Sequence, residues 1–159
     1  MKAEAIPIEY TDDVPILASI SELMGSSLPF DEVILAALRS TQAAVGADGS
    51  SLLLIDRKED NLNFYIALGE KADRLKNITL ARGEGIAGYV AETGMPLIVS
   101  DTAHDSRFSQ RADQMTGFKT RAIACVPLKI RDNLTGVIEV VSRRVGAFTP
   151  KDIDRKSVV

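Results

Sequence analysis

Hydrophobic spacing divides the chain into a helical first part, a strand-like middle and a mixed final third. From Asp12 onward Leu17, Ile20 and Met24 recur at helical intervals, until Gly25-Ser26-Ser27 breaks the pattern. Asp12 and Asp13 suit the start of that helix, and Pro15 is tolerated in its first turn. A second helix is predicted from about Asp31 to Val45, with acids in its first turn and Gly46 as its stop. Ile34, Leu38, Thr41 and Val45 mark one face. Ala36, Ala37, Ala43 and Ala44 leave much of the remainder small, which suits either core packing or a dimer seam. Residues 1–10 show no pattern and are expected to be a flexible N-terminal arm, leaving a single domain over 11–159.

At Gly49 the period changes. Ser50 to Asp56 contains the unbroken run Leu52-Leu53-Leu54-Ile55, consistent with a strand covered on both faces. After a polar turn at Arg57 to Asn61, Leu62, Phe64, Ile66 and Leu68 alternate with Asn63, Tyr65 and Ala67, the mark of a half-buried strand. Gly69 opens a charged loop to Leu75, and Asn77 to Leu80 is a short third strand. Leu97 to Val99 is a fourth. Arg121 to Ile130 and Leu134 to Val141 are a fifth and sixth, joined by a turn at Asp132-Asn133. Pro127 cannot donate to a ladder, so a bulge or a place near the sheet edge is expected there. Thr149 then caps a last helix with Pro150 at its first position. That helix stops after two or three turns and is expected to continue in a longer parent protein. Hairpin-style neighbours imply a mostly antiparallel sheet with helices packed on it.

Between the third and fourth strands lies Gly83 to Gly94, GEGIAGYVAETG, a short helix with a glycine-rich start. Gly94 is placed for the left-handed residue that ends a helix, and Pro96 blocks continuation. The free N–H groups at its start favour anions, phosphate included. Taken literally, Gly83-x-Gly85-x-x-Gly88 is a dinucleotide fingerprint, with Asp101 near the distance for a ribose contact. That motif needs a complete βαβ unit, and only Leu97 to Ser100 follows. A kinase glycine loop is excluded because no catalytic-loop or metal-binding motif follows. The connection from Ser100 to Thr120 is long for a compact domain, and such connections are usually functional or disordered. Phe108, Met115 and Phe118 argue that it folds against something, and Gln110 to Met115 can form a helical turn.

Composition narrows the function classes. The 159 residues suit one domain, and 45% of them are apolar, so the chain is neither disordered nor a membrane protein by composition. A net charge of −3 lacks the basic footprint that nucleic acid or an anionic membrane requires. One cysteine, Cys125, excludes an internal disulfide and a Cys-based structural zinc site. His104 is alone too, so no metal is expected. No apolar run approaches the roughly 18 residues of a membrane span, and no signal segment opens the chain. Cytoplasmic localisation is expected.

Three segments together resemble a GAF domain, the small-molecule-binding regulatory module of signalling proteins: GEGIAGYVAETGMPLIVSD (Gly83 to Asp101), DSRFSQRADQMTGFKTRAIACVPL (Asp105 to Leu128) and TGVIEVVS (Thr135 to Ser142). The likeness runs from about Phe30 to Asp152. It implies an α+β fold of the profilin-type architecture shared with PAS domains. The expected sheet has six antiparallel strands in the order 3-2-1-6-5-4 and helices on both faces. The first, second and last helices would cover one face. A ligand pocket would lie on the other, roofed by the Gly85 to Thr93 helix and the long connection.

The resemblance also implies site residues. In cyclic-nucleotide-binding relatives the phosphate lies near the start of the glycine-rich helix, which corresponds to Ile86 and Ala87 here; plain core packing explains Ile86 equally well. Base and ribose contacts fall on Asp113, Thr116 and Thr120, residues that also cap turns through their own backbone. Glu139 stands between Val137 and Val141 on one strand face, where an unpaired buried carboxylate would be costly. It either meets water or faces the pocket, and the resemblance implies the pocket. Phe108 and Phe118 read as pocket wall or lid rather than specific stacking contacts.

The departures from the family matter. Cyclic-nucleotide-binding relatives carry Asn-Lys…Phe-x-x-x-Asp-Glu; here Ser142-Arg143…Phe148-Thr-Pro-Lys-Asp152-Ile153 keeps Phe148, Asp152 and a basic residue but loses Asn and Glu. Leu68 lies near where those relatives place a base-reading acid. A cyclic nucleotide is therefore left open as the ligand rather than favoured. Bilin attachment is not expected, because Cys125 sits inside a strand as a small apolar residue. The leading expectation is a non-catalytic sensory domain that binds a small ligand or a partner. It would form a homodimer through its N- and C-terminal helices and signal to an output domain. A structural dimerisation module without a ligand is the first alternative. A methionine sulfoxide reductase-like enzyme is the second, and one cysteine cannot complete its internal thiol–disulfide cycle.

Overall fold

The computed structural model describes residues 30–152. The expected arm at 1–10, the first helix from Asp12 and the chain after Asp152 lie outside the described residues. So does any dimer contact made through those helices.

Six strands form one sheet: β1 (Gly49–Asp56), β2 (Asn61–Leu68), β3 (Thr79–Ala81), β4 (Leu97–Val99), β5 (Ala122–Ile130) and β6 (Asn133–Ser142). Their order is β3-β2-β1-β6-β5-β4, and every neighbouring pair is antiparallel. With no parallel pair in this sheet, the βαβ unit behind a dinucleotide fingerprint is absent among the described residues. The sequence expectation for order and direction holds.

β1 is central, which explains its unbroken apolar run: Leu52 and Leu53 point to opposite faces and both are buried. Leu53, Cys125 and Val137 belong to the larger core, which they share with Ile86, Ala87 and Val90 of the helix α2 (Gly85–Thr93). Ala122, Ala124, Val140 and Phe148 form a second, smaller cluster on the other face, with Val45 and Ala47 against it.

The helix α1 (Phe30–Val45) covers that second face. Its deepest residues are Val33 and Leu38, while Ile34, Thr41 and Val45 are only half-buried, so the buried stripe is rotated slightly from the one expected. Ala36, Ala43 and Ala44 are exposed. Gly46 ends the helix at φ +69°, and Ala47 donates back to the Gln42 carbonyl at 2.9 Å, a Schellman closure. The Ser50 hydroxyl donates to Gln42 Oε1 at 2.9 Å, fastening helix to sheet.

Two local expectations shift. The third strand is Thr79–Ala81 rather than Asn77 to Leu80, because Ala72–Asn77 winds into a 3₁₀ helix. Ala72, Leu75 and Ile78 recur every three residues, the period of that helix, and turn inward. The β5–β6 turn falls at Arg131 and Asp132, both at positive φ, and Asn133 already belongs to β6. Pro127 lies just past Cys125, where β4 stops pairing with β5, and one residue before a bulge at Leu128/Lys129. The expectation of a bulge or a place near the sheet edge is met. Gly136 is required for a different reason: a Cβ there would lie 2.1 Å from the Leu53 carbonyl oxygen.

The last helix begins at Pro150, with the Thr149 amide donating to Asp152 Oδ2 at 2.9 Å, half of a capping box. Among the described residues no helix is long and apolar enough to cross a membrane.

Candidate functional site

The site begins with the backbone at α2. Gly83 and Gly85 hold φ of +76° and +72°, and Gly88 packs so closely that a Cβ would sit 2.7 Å from the Gly83 carbonyl carbon. The three-glycine spacing is therefore the geometry of a loop folded tightly onto its own helix. Glu84 precedes the helix without capping it. Its carboxylate accepts from the Ala81 amide at 2.9 Å and from Arg111 at 2.8 Å. The first helical hydrogen bond runs from Gly88 N–H to the Glu84 carbonyl. The amides of Gly85, Ile86 and Ala87 are left without an acceptor among the described residues.

These amides border a cavity between the sheet and a lid. The lid consists of α2 and the connection from Ser100 to Thr120, which contains a 3₁₀ turn (Thr102–His104) and a short helix α3 (Arg111–Thr116). Ile86, Ala87, Phe108, Asp113, Thr116, Phe118, Thr120 and Glu139 all line it, so the structure brings the eight candidate residues to one place. The interior open to the centres of water-sized atoms is ≈ 90 Å³. At about 10–15 Å³ per water, that admits roughly six to nine non-hydrogen atoms.

The polar groups differ in how far they are committed. Asp113 takes the Thr120 hydroxyl at 2.6 Å and the Thr120 amide at 2.8 Å, closing the base of the lid into a ring. Thr116 donates to the Ala112 carbonyl at 3.0 Å and accepts from the Phe118 amide at 3.1 Å, the local capping role open to it from sequence. Thr102 donates to the Thr120 carbonyl at 2.8 Å, tying the two ends of the connection together.

Glu139 is different. It sits mid-sheet, opposite Ser51 on β1 and Cys125 on β5, on the pocket face between Val137 and Val141. No hydrogen bond or ion pair reaches its carboxyl from the described residues. Its remaining exposure opens onto the cavity it lines. Burial first, and the charge of Asp113 second, push the carboxyl up to about 7. Cys125 is fully buried, and burial raises its thiol well above the usual range, with Glu139 adding to the effect. The thiolate needed for nucleophilic chemistry is disfavoured there.

Three arginines hold the lid from outside. Arg107 binds Asp105 at 2.6 Å and lies 4.7 Å from the Tyr89 ring centre on α2. Arg111 joins Glu84 and the Thr79 carbonyl. Arg143 pairs with Glu70 at 3.0 Å and stacks 4.1 Å over Phe118. Ser51, Glu70 and the 3₁₀ residues Ala72 and Leu75 also line the cavity and were not anticipated. Ser51 carried a signal, as a polar residue next to an apolar run. Glu70 and Arg143 carried none, because 73 residues separate them. Among the described residues no group of three or more His, Cys, Asp or Glu could hold a metal ion.

Comparison with known proteins agrees with this fold. The chain is 35% identical over 133 residues to the probable 3',5'-cyclic phosphodiesterase pde-5 of Caenorhabditis elegans, a match covering 78% of this chain and 18% of that protein. The chain thus spans less than a fifth of that relative. Among solved structures it resembles the GAF domain from a phosphoenolpyruvate-protein phosphotransferase of Coxiella burnetii (TM-score 0.73, 17% identity, 89% of this chain and 84% of that one). It also resembles the free methionine-R-sulfoxide reductase of Neisseria meningitidis in complex with its substrate (TM-score 0.71, 17% identity, 87% and 77%). At these identities the solved structures speak for the fold. The GAF domain model matches residues 29–156, and the chain belongs to the GAF domain family.

Proposed function

We propose that this domain is a non-catalytic regulatory module that takes a compact ligand beneath its lid and passes the occupied state to an output domain through its terminal helices. The observation that carries this reading is the convergence on one cavity of residues from Ile86 to Glu139, with unbonded amides at one wall and an unpartnered carboxyl on the floor. Such a cavity, mostly apolar with a few converging polar groups, has the form of a small-molecule site.

The phosphodiesterase relative makes cyclic nucleotides the first class to try, with phosphate at the amides of Ile86 and Ala87. A cyclic nucleotide exceeds the present cavity, so the lid would lift to admit it. A catalytic role is not supported by Cys125, whose thiol is buried and held protonated. Homodimerisation and a cytoplasmic setting belong to the same proposal.

The test is a thermal-shift screen of the chain with cyclic AMP, cyclic GMP and small metabolites. A ligand at a hundred times its dissociation constant adds about 2.7 kcal/mol of stability. Stabilisation that disappears when Ser51→Leu fills the cavity supports the reading. No stabilisation by any class leaves only the structural dimerisation module.

A further inference from the structure

Resting on the reading of this cavity as a ligand site, we propose that its ligand is a compact organic cation, an amine whose ammonium group seats on Glu139.

The argument is one of charge. The described residues lining the cavity include three carboxylates, Glu70, Asp113 and Glu139, and no Lys, Arg or His. Glu70 is neutralised by Arg143 at 3.0 Å, and both oxygens of Asp113 are taken by Thr120. Glu139 alone has no donor. A carboxylate held away from water is costly unless it is paired and hydrogen-bonded, and nothing described in the protein supplies the pair. An ammonium supplies charge and donors together, in the short charge-assisted bonds that such a site rewards. The Asp113 charge, close enough to bear on Glu139, adds attraction for a cation and repulsion for an anion.

The arginines nearest the lid do not offset this field from inside. Arg107, Arg111 and Arg143 are committed to Asp105, Glu84 and Glu70 respectively. The favourable place for negative charge is the start of α2, where the three unbonded amides can receive a carbonyl or carboxylate from the same ligand. The volume of ≈ 90 Å³ matches an amine of amino-acid size, smaller than a nucleotide. The hydroxyl of Ser51, buried opposite Glu139 on the cavity wall, makes no hydrogen bond among the described residues and is free to share the bound group.

The experiment uses the full chain, with thermal shift and titration calorimetry against three probe sets. The first holds free amines: the common L-amino acids, ethanolamine and putrescine. The second holds their N-acetyl forms. The third holds cyclic AMP and cyclic GMP. A free amine is expected to bind where its N-acetyl form does not, and Glu139→Gln is expected to weaken it roughly tenfold or more, the range for a lost charged hydrogen bond. Equal binding of the N-acetyl form overturns the proposal, as does amine binding unchanged in Glu139→Gln. Binding by cyclic nucleotides alone overturns the amine and leaves the regulatory pocket standing. Silence from all three sets overturns both. Should Glu139→Gln fail to fold, Ser51→Ala provides the second variant, and unchanged amine binding in it removes Ser51 from the proposal.

Discussion

At the scale of single residues, Glu139 makes the sharpest demand. Its carboxyl is raised from an ordinary 4.5 to about 7, so the folded chain holds that proton more tightly than the unfolded chain does. The contribution to stability is therefore complete below about pH 4.5 and is lost as the pH climbs to about 7. At about 1.4 kcal/mol per unit, the loss is on the order of 3–4 kcal/mol. The groups facing Glu139 are Asp113 from the lid and Cys125 and Ser51 from the adjoining strands. Two lid acids respond in the opposite sense. The Arg107 hydrogen bond lowers Asp105; at Glu84, burial pushes upward but the Arg111 bond and the Ala81 amide outweigh it. Their stabilisation is lost only as the pH falls through the ordinary carboxylate range and below. Melting temperature measured from pH 5.5 to 8 should accordingly fall in the wild type and stay nearly level in Glu139→Gln, with the variant the more stable at pH 8. Parallel slopes for the two proteins would show that Glu139 titrates normally.

At the scale of elements, the contact between β1 and β6 limits what the sheet tolerates. Gly136 faces the Leu53 carbonyl so closely that any side chain must push the strands apart. Gly136→Ala should cost about 3 kcal/mol or more, the upper end for an overpacked core. Gly94→Ala meets nothing within 4 Å and costs only the strain of its positive φ, which makes it the control. Chemical denaturation of the two variants checks this, and equal losses would mean that β6 can shift in register. How legible the elements were follows from their local character. The Leu52 to Ile55 run and the alternation from Leu62 to Leu68 announced two strands, because burial on a sheet repeats every two residues. Ala72, Leu75 and Ile78 repeat every three, a period that matches neither a strand nor an α-helix, so the 3₁₀ turn is hidden in the sequence pattern. Strand order came from family resemblance, since periodicity says which face is buried and not which neighbour pairs. In the candidate site, Glu139 was conspicuous as an acid among valines. The settled bonds of Asp113, Thr116 and Thr120 depend on how the lid folds and could not be read along the chain.

At the scale of the whole molecule, the lid is joined to the rest by more than its own packing. Arg143 touches the lid through Phe118, the rim beyond β2 through Glu70 and, through its backbone amide, Asp48 just before β1. It leaves β6 five residues ahead of Phe148, which fills the core on the far side of the sheet. Arg143→Ala should raise both the association and the dissociation rate of any ligand, measurable by stopped-flow fluorescence once one is known. Unchanged rates would place the barrier to entry elsewhere.

The shared guanidinium has one further result. Whatever enters the cavity and displaces Phe118 must give up that ring's stacking partner, and Arg143 stands at the root of the segment bearing Phe148 and the capped start of the final helix. Arg143 thus couples the cavity's lid, at Phe118, to the segment that carries Phe148 across the sheet.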